Sequence, residues 1–212
     1  MMQYLNDTPV ASIIFIFTLI TSVYAFNDHS VYGKFMLHPY SIVHHKAKYF
    51  TVITSGLIHA DGMHLFFNMA TFFFFAFPLE QLLGHWQFGL LYILSMVLAD
   101  IPSILKHKND YRYHSLGASG AISGVLFSMI LFAPFMQIGI LFLPPQLGIW
   151  AIIFGPLYLF YCYYMSKKSN DNINHDAHFF GALAGILLTV ILFPGIIPHF
   201  VAQVMTKLTG GG

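Results

Sequence analysis

The residues of this chain best suited to chemistry lie far apart along it. Gly117-Ala118-Ser119-Gly120-Ala121-Ile122-Ser123-Gly124 sets a serine among the smallest side chains available, at the start of an apolar run. Glycines at 117, 120 and 124 strip bulk from around Ser119, so another backbone can approach closely. A hydroxyl in hydrocarbon needs a partner, and a nucleophilic hydroxyl needs a base. His178 is the candidate base. It begins a helical stretch in which Ala177, Gly181 and Gly185 recur every four residues as a small-residue seam on one face. Two such thin-walled helices should pack together and bring Ser119 and His178 within hydrogen-bond reach.

A third cluster, His59, His64 and Asn68, opens another apolar run. His64 and Asn68 are four apart, hence on one helix face, with His59 just before it. Three polar groups at one membrane-entry level are costly unless they function or satisfy each other. Acyl transfer needs donors aimed at a developing oxyanion, and His64, Asn68 and the backbone N–H of Ser119 are of the right types. Ser119 also stands at a helix start, where free N–H groups and the dipole favour negative charge. The bland alternative for Ser119 is a small packing residue, the ordinary content of membrane helix seams. Its register with His178 and the His59/His64/Asn68 cluster favours the nucleophile. Asn68 as interhelical glue is the competing reading of that residue, and His59 suits bracing better than direct participation. A zinc protease would want H-E-x-x-H, which residues 59–64 lack. A metal site of His59, His64 and His178 has no carboxylate or thiolate beside it, so no metal and no cofactor is expected. An aspartyl protease needs a second membrane aspartate beside Asp100, and a transporter would spread polar groups near the midplane.

These groups need elements to hold them, and composition says which. The 212 residues are 57% hydrophobic and 8% charged, far below the roughly 25% charged of soluble domains. The chain is therefore expected to be an all-α membrane protein, one domain over 1–212. A formal net charge of +1 gives no hint of nucleic-acid binding. The sole cysteine, Cys162, excludes an intrachain disulfide. Apolar runs near the ~20 residues that cross a membrane predict about six spans, at 9–26, 63–83, 86–105, 118–135, 148–165 and 177–193. The first lacks a basic flank and a cleavage site, so it reads as a retained helix. Residues 27–54 form a long aromatic connection suited to the membrane interface. Pro134 and Pro144-Pro145 mark the exit of the serine helix, and Gly210-Gly211-Gly212 reads as a tail. Asp100 is expected to cap or pair near the interface, and His175 and Asp176 to be solvated loop residues. His29, His38, His44, His45, His85, His107, His114 and His199 are assigned no role.

With its motifs in place the chain resembles the rhomboid family of intramembrane serine proteases. The resemblance rests on G-A-S-G at 117–120, A-H-x-x-G-x-x-x-G at 177–185 and H-x4-H-x3-N at 59–68, in the family's order on the second, fourth and sixth spans. It implies a six-helix bundle with a dyad in a water-filled cavity, Ser119 as nucleophile and His178 as general base and acid. His64, Asn68 and the Ser119 N–H would form the oxyanion hole. Gly117, Gly120, Gly181, Gly185, His59 and Glu80 would be structural support. The expected partners are single-span transmembrane substrates and the lipid bilayer. The expected location is a multi-pass position in a bacterial inner or cell membrane. The second reading is a catalytically inactive relative acting as a membrane scaffold or chaperone, which loss of Ser or His would signal. The chain departs from many relatives at Phe50-Thr51, where they have Trp-Arg, and at Ser123, where they have an aromatic supporting the histidine. His178 then needs another orienting group, and His175 and Asp176 are the near candidates. The resemblance implies a cytoplasmic N-terminus. The lysine and arginine distribution predicts the opposite, because all but Lys207 of the nine fall in the loops after spans 1, 3 and 5.

Overall fold

The computed structural model describes residues 2–139, 147–168, 171 and 173–210. α1 (Met2–Asp7) leads into α2 (Pro9–Asn27), where Pro9 takes a first-turn position that needs no N–H donor. The long connection folds as short helices α3 (Ser30–Phe35), α4 (Pro39–His44) and α5 (Thr51–Thr54). Then come α6 (Gly62–Leu83), α7 (His85–His107) and α8 (Ser119–Phe132). A two-residue antiparallel pair, β1 (Gln137–Ile138) with β2 (Ile149–Trp150), precedes α9 (Ala151–Lys168). α10 (His175–Leu192) and α11 (Ile196–Leu208) complete the chain. Among the described residues four helices, α2, α6, α7 and α10, are long and apolar enough to cross a membrane. α8 has only 14 residues.

Several boundaries differ from the expected ones. α8 ends at Phe132 and not near 135, because Ala133 precedes Pro134 and is pushed out of the helical region. α9 starts at Ala151, after β2. α10 begins two residues early because Asn174 caps it, its side chain accepting from the Ala177 N–H at 3.0 Å. The amphipathic α11 had no counterpart in the expected spans. It carries His199 and Gln203, whose side chains lie 3.2 and 2.8 Å from the Phe132 carbonyl at the end of α8. Pro144-Pro145 and Gly211-Gly212 lie outside the described residues.

α8 sits at the centre, buried along almost its whole length. α10 packs against it in parallel, through Gly120 with Gly181, Gly124 with Gly185, and Ser128 with Thr189. A Cβ on Gly181 or Gly185 would run into the carbonyl oxygen of Gly120 or Gly124 respectively. The Thr189 hydroxyl lies 2.7 Å from Ser128 Oγ and 2.6 Å from the Gly185 carbonyl, closing the seam. α7 runs antiparallel to α8, with Ala99 opposite Gly120 and Ser95 opposite Gly124. α2 and α6 are likewise antiparallel. The fully buried Glu80 near the end of α6 accepts the N–H groups of Val10 (3.1 Å) and Ala11 (2.6 Å) and lies 2.7 Å from His85 Nδ1. A carboxylate there fills the unpaired donors of α2's first turn. This antiparallel order brings the starts of α6, α8 and α10 and the ends of α2, α7 and α9 to one end of the bundle.

Candidate active site

At that end, a cavity of about 880 Å³ reaches from loop residues such as Asp61, Arg112, His114 and Asp171 down to Ser119 and His178. His64 and Asn68 line it too. The structure therefore gathers Ser119, His178, His64 and Asn68 around one space. Ser119 and His178 share the cavity, both half-buried, but among the described residues the expected hydrogen bond between them is not formed.

Parallel packing of α8 and α10 explains the convergence. Both helices present their N-terminal turns at the same level, so the serine at the first position of one and the histidine in the first turn of the other face the same cavity. Gly117 is required just before them. Its φ of +111° lies in the left-handed region, and a Cβ there would fall 2.7 Å from His64 Cε1 and 2.8 Å from Nε2. Its N–H donates to the Ser55 carbonyl at 2.9 Å, tying the turn to the end of the first loop.

His59 is fully buried and holds this turn from below. Its Nε2 accepts the Ala118 N–H at 3.4 Å, which puts its proton on Nδ1, 3.0 Å from Ser22 Oγ on α2. Ser22 passes a hydrogen bond on to the Leu57 carbonyl at 3.1 Å. Burial, followed by the nearby His64 imidazole, pushes the His59 pKa down to about 3. The His64 ring stands edge-on to His59, centroids 4.9 Å apart. Its Nδ1 accepts weakly from the Ala60 N–H at 3.4 Å, which leaves an Nε2–H donor beside Gly117. Asp61 caps α6 by accepting the His64 N–H at 2.8 Å. Asn68 Nδ2 donates an N–H to the His64 carbonyl at 3.0 Å, and its amide also interacts with the His59 ring.

Three side chains that the sequence leaves unassigned turn out to matter here. Tyr158 on α9 lies nearly parallel to the His178 ring, at 6.4 Å between centroids and 15°. Its hydroxyl bonds Ser123 Oγ at 2.9 Å. The aromatic missing at Ser123 is thus supplied from the next helix, and Ser123 holds it. Asn174 caps α10 and also donates to Ser103 Oγ (2.9 Å) and Ser115 Oγ (3.2 Å), joining α10 to α7 and to the loop before α8. His38 is buried, with Nδ1 2.7 Å from Ser41 Oγ, Nε2 2.9 Å from the Tyr111 carbonyl and its ring stacked on His114. With the paired backbones of Leu37 and Ser115 it anchors the first loop, where Phe50 is exposed and Thr51 is turned inward. None of the three was marked out by a motif or spacing in the sequence.

Three expectations are corrected. His175 is not solvated: the early start of α10 turns it inward, 3% exposed, its Nε2 3.2 Å from Asp171 and its ring edge-on to His178. Asp176 pairs with Lys106 of α7 at 2.6 Å and so does not orient His178. Among the described residues Asp100 neither caps nor pairs: its buried Oδ2 has no hydrogen-bond partner, and the residue lines the cavity. His85 and His199 serve as partners of Glu80 and of the α8 terminus, roles that the sequence had not assigned.

Comparisons with known proteins fit this arrangement. The sequence profile of the rhomboid domain matches residues 46–195. The rhomboid protein YdcA of Bacillus subtilis is 34% identical over 151 residues, covering 68% of this chain and 67% of its own. RHOMBOID-like protein 1 of Arabidopsis thaliana is 34% identical over 90 residues, 42% of this chain and 22% of the relative. The mitochondrial RHOMBOID-like protein 6 of the same plant is 35% identical over 79 residues, 37% of this chain and 25% of the relative. On a profile spanning most of its length and on the first of these relatives, the chain belongs to the rhomboid family.

Proposed function

We propose that this chain is an intramembrane serine endopeptidase that cleaves single-span membrane proteins near the membrane surface. The observation that carries the reading is the meeting of Ser119, His178, His64 and Asn68 around one cavity, at the N-terminal ends of two parallel helices. Ser119 Oγ attacks a substrate carbonyl while His178 takes its proton. The oxyanion is met by His64 Nε2–H, the Asn68 amide and the Ser119 N–H, with the α8 dipole behind them. His178 then protonates the leaving amine, and water hydrolyses the acyl-enzyme. Closure of the Ser119–His178 hydrogen bond accompanies substrate entry, as catalytic contacts commonly tighten in the occupied site. Tyr158 holds the imidazole plane in place of a carboxylate. A helical substrate carbonyl is already hydrogen-bonded and shielded, so helix-breaking residues near the cut are favoured.

The test is labelling of purified protein with a fluorophosphonate, followed by mapping of the modified residue. Label on Ser119, lost in Ser119→Ala and His178→Ala together with substrate cleavage, is the expected result. Label elsewhere, or cleavage at the unmodified rate in either variant, overturns the dyad assignment, whereas neither label nor cleavage in the native protein favours an inactive scaffold.

A further inference from the structure

On the side of α9, His178 meets two side chains that proteolysis does not use. Cys162, His175 and His178 each offer a ligand atom, and these atoms all lie within 4.8 Å of one another. Cys162 and His175 are buried at 0% and 3% exposure. His175 Nε2 faces the Asp171 carboxylate at 3.2 Å, which fixes its proton there and its lone pair on Nδ1. Among the described residues that Nδ1 is buried with no hydrogen-bond partner, a cost that an ordinary packed core avoids. A carboxylate–imidazole pair with the far nitrogen left bare is the outer-shell arrangement of histidine metal ligands.

We infer that Cys162, His175 and His178 form a binding site for a soft divalent cation of the zinc type. One thiolate with two imidazoles suits zinc and disfavours magnesium or calcium. Zinc holds sulfur at about 2.3 Å and nitrogen at about 2.0 Å, placing its ligands roughly 3.5 Å apart. Side-chain rotations closing about 1 Å therefore complete the site. The ion enters through the cavity, which His178 and Asp171 both line. On binding, the Cys162 S–H bond breaks, its proton goes to solvent, and a sulfur–metal bond forms. The fourth coordination position stays open to water.

The consequence for activity rests on the protease reading, whereas the site itself does not. Neutral imidazole has one acceptor nitrogen. A metal that takes the His178 lone pair leaves nothing to receive the Ser119 proton, so the site acts as a reversible brake on the dyad.

Cobalt(II) added to the purified full chain tests the site without any turnover. Cys162 is the only cysteine, so a thiolate-to-cobalt charge-transfer band can arise from nothing else. The expected result is that band at one cobalt per chain, displaced by zinc, and absent in Cys162→Ser and in His175→Asn. No band in the native protein overturns the site outright, whatever the variants do. Fluorophosphonate labelling should fall at least tenfold with saturating zinc and recover on chelation, while Cys162→Ser labels equally with and without zinc. Zinc inhibition that persists in Cys162→Ser overturns the brake by placing the ion elsewhere. A cobalt band without labelling of Ser119 under any condition keeps the metal site and removes the protease reading.

Discussion

At the scale of single residues, His178 depends on its neighbours more than its sequence position suggests. The Tyr158 ring lies nearly parallel to the imidazole, 6.4 Å away between centroids, and its hydroxyl bonds Ser123. On the protease reading the ring holds the imidazole plane and the hydroxyl only anchors the ring. Tyr158→Phe should keep cleavage within a few-fold of the native rate. Tyr158→Ala frees the imidazole, and a misplacement of about 1 Å can cost on the order of 10²-fold. The loss should fall on kcat with KM unchanged, and the fluorophosphonate labelling rate should drop in parallel. A purely structural tyrosine would lower the melting temperature and leave those rates alone. His59 makes a different prediction. Its folded pKa of about 3 lies below the ordinary 6.5, so between these values the unfolded chain binds one more proton. Its contribution is fully present above pH 6.5 and is lost as pH falls towards 3, on the order of a few kcal/mol. Stability measured against pH should decline across that window, and the decline should shrink in His59→Asn. Ser119, His178, His64 and Asn68 were legible because each sits in a short motif with its own spacing. Tyr158 was not: its run of tyrosines fits lipid-interface aromatics equally well, and only the antiparallel placement of α9 aims this one at the histidine.

At the scale of elements, the seam between α8 and α10 sets the distance across which any dyad must work. Gly181 meets the Gly120 backbone directly, with no flexible side chain between to give way. Gly181→Ala should therefore destabilise the protein by about 1–3 kcal/mol, the usual cost of overpacking. It should also slow Ser119 labelling, because the wedge falls within one residue of the serine. Gly62→Ala, where an added Cβ meets nothing within 4 Å, is the control and should leave the melting temperature unchanged. Equal melting of the two variants would mean that the helices are not in contact at the glycines. The four-residue spacing of Ala177, Gly181 and Gly185 revealed this seam in the sequence, since small side chains at that period have few uses other than close approach. The helix ends were less legible. α8 is cut short by Pro134, three residues before its apolar run ends, and α10 is extended by Asn174, whose capping role outweighs the polarity of His175 and Asp176. α11 was invisible for a related reason. Pro194 and Pro198 interrupt the apolar stretch that follows α10, yet Pro198 lies in the first turn of α11, where a missing N–H breaks nothing.

At the scale of the whole molecule, the short central helix and the cavity have one origin. Fourteen residues rise about 21 Å in a hydrocarbon layer of about 30 Å, leaving roughly 9 Å for other structure to cover. The far end of α8 is closed by α11 through the Phe132 carbonyl, so the gap opens at the serine end, where water can collect. Whether α8 and α9 cross alongside the four longer helices decides the topology. Six crossings put both termini on one side and the cavity on the other. The positive-inside rule would set the cavity end in the cytoplasm, since Lys34, Lys46, Lys48, Lys106, Lys108, Arg112, Lys167 and Lys168 all lie in its loops or in the last turns of α7 and α9. Several of these cations are already committed within the fold. Lys106 pairs with Asp176, Lys167 and Lys168 lie over the rings of Tyr163 and Tyr164, and Lys48 donates to the Gly33 carbonyl. The family arrangement is therefore the one to test, with both termini cytoplasmic and the lysine-rich loops outside. Cysteines introduced singly at Gln3, Tyr49 and Gly210 in a Cys162→Ser background should answer. A membrane-impermeant maleimide on intact cells should label position 49 and spare positions 3 and 210. Label at 3 and 210 alone would invert the protein and restore the charge rule, whereas label at one terminus and not the other would give an odd number of crossings.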